Sequence, residues 1–494
     1  MKFISQILMT CLFSIAIAQH KETIWIGGDN GAISFNGDSA ISFFRTENSK
    51  FSRTSASICD QEGSLLFYSN GFNVFNRNFA LMENGDSLSI GEYIEFNYGL
   101  MPTPDGAVIV PMPGDSNRYY LFYMDLNWIF TQLGYFLFPT HLFYSVIDLS
   151  LDGGNGAIVD GLKDISILND TLTQAGMQVI RHGNGRDWWL VCHEYGNNNY
   201  YKFLIDDLGI HGPDSQLAGI RYWLVNAGVS SSMRFNSGGD LFIHQSRDSN
   251  IVELHDFDRC TGLFSNYRTF KVNDPWVPLR GVSVSPQGTY LYISSNYTEI
   301  LQFNLDAIDI YQSRTVVGLD DGILNPFPAK YFLHRLGPDG RIYISSYDEN
   351  FSLHVINNPD IGGIGCNFEQ RGFPLVNGTT WRGGVPNIPN FSLGALSGSS
   401  CDTITSIPEM ESVFTYGVYP NPCFNSAQLS ISGATEKAEI FLYNTFGQLL
   451  YKTTTFPSNN FIHTQLPVRD LVAGIYLVKV SMGEKEIAQK LVKR

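Results

Sequence analysis

The chain has 494 residues, 44% hydrophobic and 14% aromatic but only 16% charged, where an ordinary soluble domain carries about 25%. Its 32 Lys+Arg face 47 Asp+Glu, a net charge of −15. That acidity argues against a nucleic-acid backbone binder, the apolar content against a disordered chain, and the lack of a glycine triplet period against a collagen-like one. The length suits two or three domains, or one large β domain with additions.

The N-terminus reads as an export signal over residues 1–18. Lys2 supplies the positive start, Phe3 to Ala18 is uncharged and mostly apolar, and Ala16-Ile17-Ala18 is the small-x-small pattern cut by a signal peptidase. The apolar run is shorter than the ~20 residues that span a bilayer. The mature chain is therefore expected outside the cytoplasm, with no transmembrane segment.

Residues 20–397 repeat. A polar turn ending in Gly, followed by an apolar strand, recurs at Asp60–Gly63, Pro104–Gly106, Gly183–Gly185, Asn236–Gly239, Ser285–Gly288 and Gly337–Gly340. Second strands follow, such as Tyr119–Met124, Tyr200–Ile205, Ile251–Asp256, Ile300–Asn304 and Leu353–Asn357. A period of roughly 40–50 residues with several strands per unit predicts an all-β fold, a β-propeller. Extra residues around Asn127 to Leu137 and Asp160 to Thr173 read as insertions. Thr23–Ile26 and Ala32–Phe35 are expected to complete a seventh blade with a strand near Asn387 to Leu393, closing the ring. Seven blades is the reading, with six or eight left open.

Chemistry is harder to read. No GxSxG elbow, HExxH, Walker loop or dinucleotide fingerprint occurs, and the Asp256–Asp258 and Asp320–Gly322 runs are too short for a calcium loop. No catalytic residue, metal or cofactor is therefore assigned. The most polar-aromatic cluster is Arg181-His182, Asp187-Trp188-Trp189 and His193-Glu194, with His182, Asp187, Trp188, Trp189 and Glu194 as its candidate ligand residues. One reading makes it a ligand site, with an acid/base pair and a sugar-stacking platform. The other makes Asp187 a turn closer, places the two Trp on opposite sheet faces, and spends His182 and Glu194 on hydrogen bonds between strands.

Six cysteines follow the signal: Cys59, Cys192, Cys260, Cys366, Cys401 and Cys423. No metal spacing joins them, and ~15 pairings exist in principle. Cys401 and Cys423 flank the domain junction and are the one pair singled out. The Ser/Gly/Thr-rich stretch 398–413 reads as a linker. Beyond it the charge changes sign, because residues 414–494 hold eight basic and five acidic side chains. With Lys2 removed, Gln19 to Val413 then carries −19. Short alternating strands separated by turns predict a small C-terminal β-sandwich over 414–494.

Motifs in both parts resemble known families. Tyr419, Pro420, Asn421 and Pro422, the Gly447 turn, Gly474 and Tyr476 within Leu471–Val478, and the terminal Lys490, Lys493 and Arg494 look like the type A C-terminal sorting domain of type IX secretion cargo in Bacteroidetes. The resemblance implies passage across the outer membrane by the type IX machinery, followed by release or attachment at the cell surface. Ala56–Asp60, Leu65–Gly71, Val74–Asn76, Tyr144–Leu149, His182–Trp189, Phe257–Gly262 and Asn357–Asp360 resemble the WD-repeat-like propellers of Bacteroidetes surface and gliding-associated proteins, with Phe75 where that pattern has Trp. Ser39, Ser87, Thr171 and Thr403 sit in Asp-Ser/Thr-aliphatic triplets similar to Bacteroidetes O-glycosylation acceptors.

The expectation is a secreted or cell-surface propeller that binds a glycan or protein and no nucleic acid. The alternative is a polysaccharide-degrading enzyme using the propeller channel, and a purely structural surface or motility part stays open.

Overall fold

Among the described residues, strands rich in Val, Ile, Phe and Tyr make up nearly all regular structure, and the helical residues are three single 3₁₀ turns. The computed structural model describes residues 21–494 except 47–48, 89–90, 94–99, 132–133, 222–230, 247–248, 273–277, 325–326, 403–414, 420, 433–435, 458–460 and 484. The expected signal peptide, Thr403 and Pro420 lie outside the described residues. Two compact units divide between Asp402 and Thr403.

The first unit is a β-propeller of seven antiparallel sheets in chain order. They are blade 1 (24–44), blade 2 (56–76), blade 3 (107–169), blade 4 (172–217), blade 5 (232–271), blade 6 (279–319) and blade 7 (331–374). Blades 4 to 7 have four main strands each, in sequential order. The predicted insertions both fall in blade 3. One is a hairpin of Asn127–Thr131 and Gly134–Phe138 that exposes Trp128, Phe130 and Tyr135; the other carries the short strand Ile165–Asn169.

A strand with one wet face would alternate buried and exposed residues. Instead Leu65–Ser69 and Ile342–Ser346 are buried throughout, and Trp188–Glu194 nearly so. Each blade is covered on both faces by its neighbours, so its middle strands have no wet side. Only outer strands such as Leu263–Lys271 are mostly exposed.

Five of the six marker glycines take left-handed backbone, with φ from 73° to 85°. The exception is instructive. At Pro104-Asp105-Gly106 the left-handed residue is Asp105, φ 48°. Among the described residues, no regular strand fills the inner slot of blade 3. Irregular chain lies there instead, bonded by Met101 O to the amides of Arg53 and Thr54 and by Asp105 O to the amide of Met177.

Ring closure also differs from expectation. Residues 387–393 form no strand. Pro386 and Pro389 remove two of the amides a strand would need. The segment nonetheless lies in the inner slot beside Ala56–Cys59, its Gly384 and Asn387 amides donating to Ser52 O at 3.0 Å and Ser55 O at 2.8 Å. Asp29 and Thr380 exchange backbone hydrogen bonds, and the rings of Trp25 and Phe35 in blade 1 each pack 5.5 Å from Tyr343 in blade 7.

The cysteine pairing is corrected as well. Cys401 bonds Cys260 across 141 residues, while Cys423 is free and buried in the core of the second unit. The pairing follows from the path of the chain. Beyond residue 393 it runs over blades 4 and 5, where the Leu396 amide donates to Gly183 O at 2.7 Å and Arg259 Nη2 donates to Gly394 O at 2.7 Å. Residues 398–402, grouped with the linker by composition, therefore fold with the propeller.

The second unit is a β-sandwich. Thr415–Tyr419, Ala427–Ser432 and Phe461–Leu466 form one sheet, and Ala438–Asn444, Leu449–Thr455, Gly474–Met482 and Lys485–Lys493 form the other. Leu429, Ile431, Ile440, Leu442, Val478 and Leu491 are among the side chains of its core.

Candidate functional site

The cluster singled out in the sequence is not gathered into one pocket. His182 caps its own turn by accepting from the Asn184 amide at 3.1 Å, and its Nε2 meets Cys260 O at 2.9 Å. Trp189 Nε1 donates to Arg259 O at 2.9 Å, while Trp188 lies on the other sheet face beneath Arg181, 4.4 Å from its ring centroid. Asp187 closes the turn, accepting from Asn184 Nδ2 at 2.6 Å and Arg186 Nε at 2.7 Å. Glu194 stands at the far end of the strand, ~20 Å from Trp188 at the rise of an extended chain, and accepts from Asn197 and Asn199 of its own hairpin. The first four residues thus support the turn where the chain end and its disulfide dock.

Convergence occurs instead at one mouth of the propeller channel, in a cavity of ≈ 290 Å³. Its wall uses one repeat position from each of four blades, five residues before the marker glycine: Ile180, Arg234, Ser283 and Arg335. Glu22 and the segment around Asn387 complete it. The repeat explains this placement, because the last residues of every inner strand face the ring axis.

Behind the two arginines lies Asp105, 1% exposed at its side chain. Its Oδ2 accepts from Arg234 Nη1, and its Oδ1 from Arg335 Nη2 at 3.0 Å. Arg335 Nη2 also donates to Asn387 Oδ1 at 3.2 Å, and Asn387 Nδ2 donates to Met177 O at 3.0 Å. Charge-assisted bonds of this kind are stronger than neutral ones, so the floor of the cavity is rigid. Burial, helped by the like charge of Arg234, pulls the Arg335 pKa down, while Asp105 and Glu22 oppose it. Burial pushes the Glu22 carboxyl up to about 7, against the pull of Arg335.

The sequence reading missed these residues, although a signal existed. Arginine twice occupies a repeat position that elsewhere holds Ile58, Met101, Ile180 and Ser283. Asp105 reads in the sequence only as part of a turn.

The sorting residues cluster in the second unit. Asn421 Nδ2 donates to Lys490 O at 2.6 Å, and its Oδ1 accepts from the Val492 amide at 2.9 Å. The turn of Tyr419, Asn421 and Pro422 is thereby fastened to the last strand. Gly447 has φ 76° in a turn whose amides Asn444 caps. Gly474 pairs with Lys493, and the Tyr476 hydroxyl donates to Val472 O at 2.8 Å. Lys490 and Arg494 are exposed, and Lys493 is buried. Of the proposed glycosylation positions, Ser39 and Ser87 are exposed and Thr171 is half-buried.

A seven-bladed propeller joined to a small β-sandwich is thus the class of protein that fold and site define. More particularly, residues 417–494 match the family of secretion system C-terminal sorting domains, and this tail is one. The chain has the make-up of type IX cargo with a propeller. No curated protein matches the chain in sequence.

Similar solved structures include a protein from Bacteroides uniformis assigned as a 6-phosphogluconolactonase, at 12% identity and TM-score 0.43 over 74% of this chain and 98% of that one. The periplasmic gluconolactonase PpgL of Pseudomonas aeruginosa is 9% identical, TM-score 0.40, over 74% and 97%. The β-propeller domain of Myceliophteria thermophila Cps50 is 10% identical, TM-score 0.33, over 66% and 93%. Identities this low carry no chemistry across.

Proposed function

We propose that the protein is a propeller exported by type IX secretion, read through residues 414–494, that acts at the cell surface or in the medium by binding a ligand at its channel mouth. The observation that carries this is the convergence of four inner strands on one polar cavity. Concave sites with a few fixed polar groups are the usual form of a small-ligand site. A glycan end suits this cavity better than a protein face, because a volume of ≈ 290 Å³ holds little more than one sugar ring.

The polysaccharide-degrading alternative has one support, the raised carboxyl of Glu22, which suits a general acid. Glycoside hydrolysis also needs a second carboxyl across the bond, and Asp105 is tied up behind two guanidiniums.

The test uses the full chain and a version ending at residue 413, both expressed in a bacterium with type IX secretion. The full chain should reach the surface or medium and the shortened one should stay inside. The exported protein is then passed over a polysaccharide panel, scoring retention and released products. Retention without products is expected, whereas product release would replace the binding reading with the enzymatic one.

A further inference from the structure

We propose that the channel-mouth cavity binds the carboxylate of an acidic sugar, a uronate unit, against Arg234 and Arg335, with Glu22 on the same wall. This rests on the channel-mouth reading above and deepens it by naming the ligand class.

Charge and unmet bonding capacity at the cavity carry the inference. Two guanidiniums share a single buried carboxylate, Asp105, whose two oxygens are each engaged by one of them. One positive charge is left over. The Nε–H of Arg234, the Nε–H of Arg335 and the Oγ of Ser237 are buried without an acceptor or donor among the described residues, and all three residues border the cavity. Buried donors left unmet are costly, and planar guanidinium edges suit a carboxylate. An anionic group in the cavity would answer the surplus charge.

The rest of the wall suits a sugar. Ile180, Phe235 and Leu336 offer an apolar side for the C–H face of a ring, and Asn236 and Asn390 offer polar groups at the rim. The volume of ≈ 290 Å³ lies at the small end of ligand pockets, which run about 300–1,000 Å³. A single ring therefore fits better than a chain segment. The net charge of −19 on this part of the protein would repel a long polyanion at a distance.

Glu22 gives the site a pH dependence. The charged group that acts on it is Arg335, which opposes the effect of burial on its carboxyl, and Arg234 borders the same cavity. Below about pH 7 Glu22 is neutral and leaves the surplus positive charge for the ligand. Above it, Glu22 ionises and cancels that charge. Binding that needs neutral Glu22 weakens about tenfold from pH 6 to pH 8 if the free carboxyl titrates near 7.

The experiment is calorimetric titration of the full mature chain with galacturonate and glucuronate, against galactose, glucose and inorganic phosphate, at pH 6 and pH 8. Uronates should bind at least tenfold tighter than the neutral sugars, with the tenfold loss at pH 8. E22Q should keep its pH 6 affinity at pH 8, and R335M should lose binding. R335M leaves Asp105 half-paired and endangers folding, so E22Q, which removes only the ionisation, keeps the test decisive.

Neutral sugars binding as well as uronates would overturn the charge argument, and phosphate binding as tightly would overturn the sugar. Uronate binding indifferent to both variants would move the site elsewhere. No uronate binding by a protein still retained on the polysaccharide panel would sink this inference and spare the binding-module reading. Silence in both experiments would end both.

Discussion

Gly183 shows how much one missing side chain can hold. A methyl group built there would overlap Cys401 Sγ, lie 2.7 Å from Cys260 Sγ and touch Leu396. Its backbone joins the same dock, donating to Arg259 O and accepting from Leu396. G183A should therefore cost about 1–3 kcal/mol, the usual range for forcing a methylene into a packed site, read as a lower denaturant midpoint. An unchanged midpoint would mean that the disulfide shifts freely.

At the same scale, the turn-supporting reading of residues 182–189 holds: Asp187 closes the turn and the two Trp take opposite sheet faces. His182, Asp187 and the Trp pair stood out because polar and aromatic residues crowd there. That crowding serves a turn which bears the chain end, and no residue of that turn reveals the strap arriving from more than 200 positions later. Arg234 and Arg335 were legible only by aligning the repeats at their glycines and asking which position broke the apolar rule.

Among the elements, strands were the most readable, since each marker glycine announces a turn and an apolar run follows it. Whether the run is buried on one face or two was not legible, because that depends on neighbouring blades. The irregular inner segments at 101–105 and 384–390 escaped for a different reason. Proline and an aspartate-borne turn break the strand signal, yet both segments keep the position a strand would hold.

In the tail, the turn around Asn421 depends on two hydrogen bonds to the last strand. Each is worth about 1 kcal/mol net. N421A should lower the unfolding temperature of the sandwich by several degrees in calorimetry and leave the propeller transition where it was. Movement of both transitions together would contradict the division into two units.

Across the whole molecule, the ring closes through blade 1 against blade 7 and through the Cys260–Cys401 bond, which ties the end of the propeller back to blade 5. Cross-linking over 141 residues stabilises by about 5 kcal/mol in the chain-entropy treatment. Urea unfolding with and without reductant should show a loss of that order. A shift below about 1 kcal/mol would mean that strap contacts alone hold the end.

The same bond limits how the molecule can travel. Once Cys260 and Cys401 are joined, the chain between them can no longer be drawn through a narrow opening as a single thread, because pulling on the tail hauls a closed loop behind it. A copy that forms this bond before crossing a membrane must pass at least as a closed loop, through an aperture wide enough for more than one strand of chain side by side. The tail then draws a loop behind it rather than leading a single string.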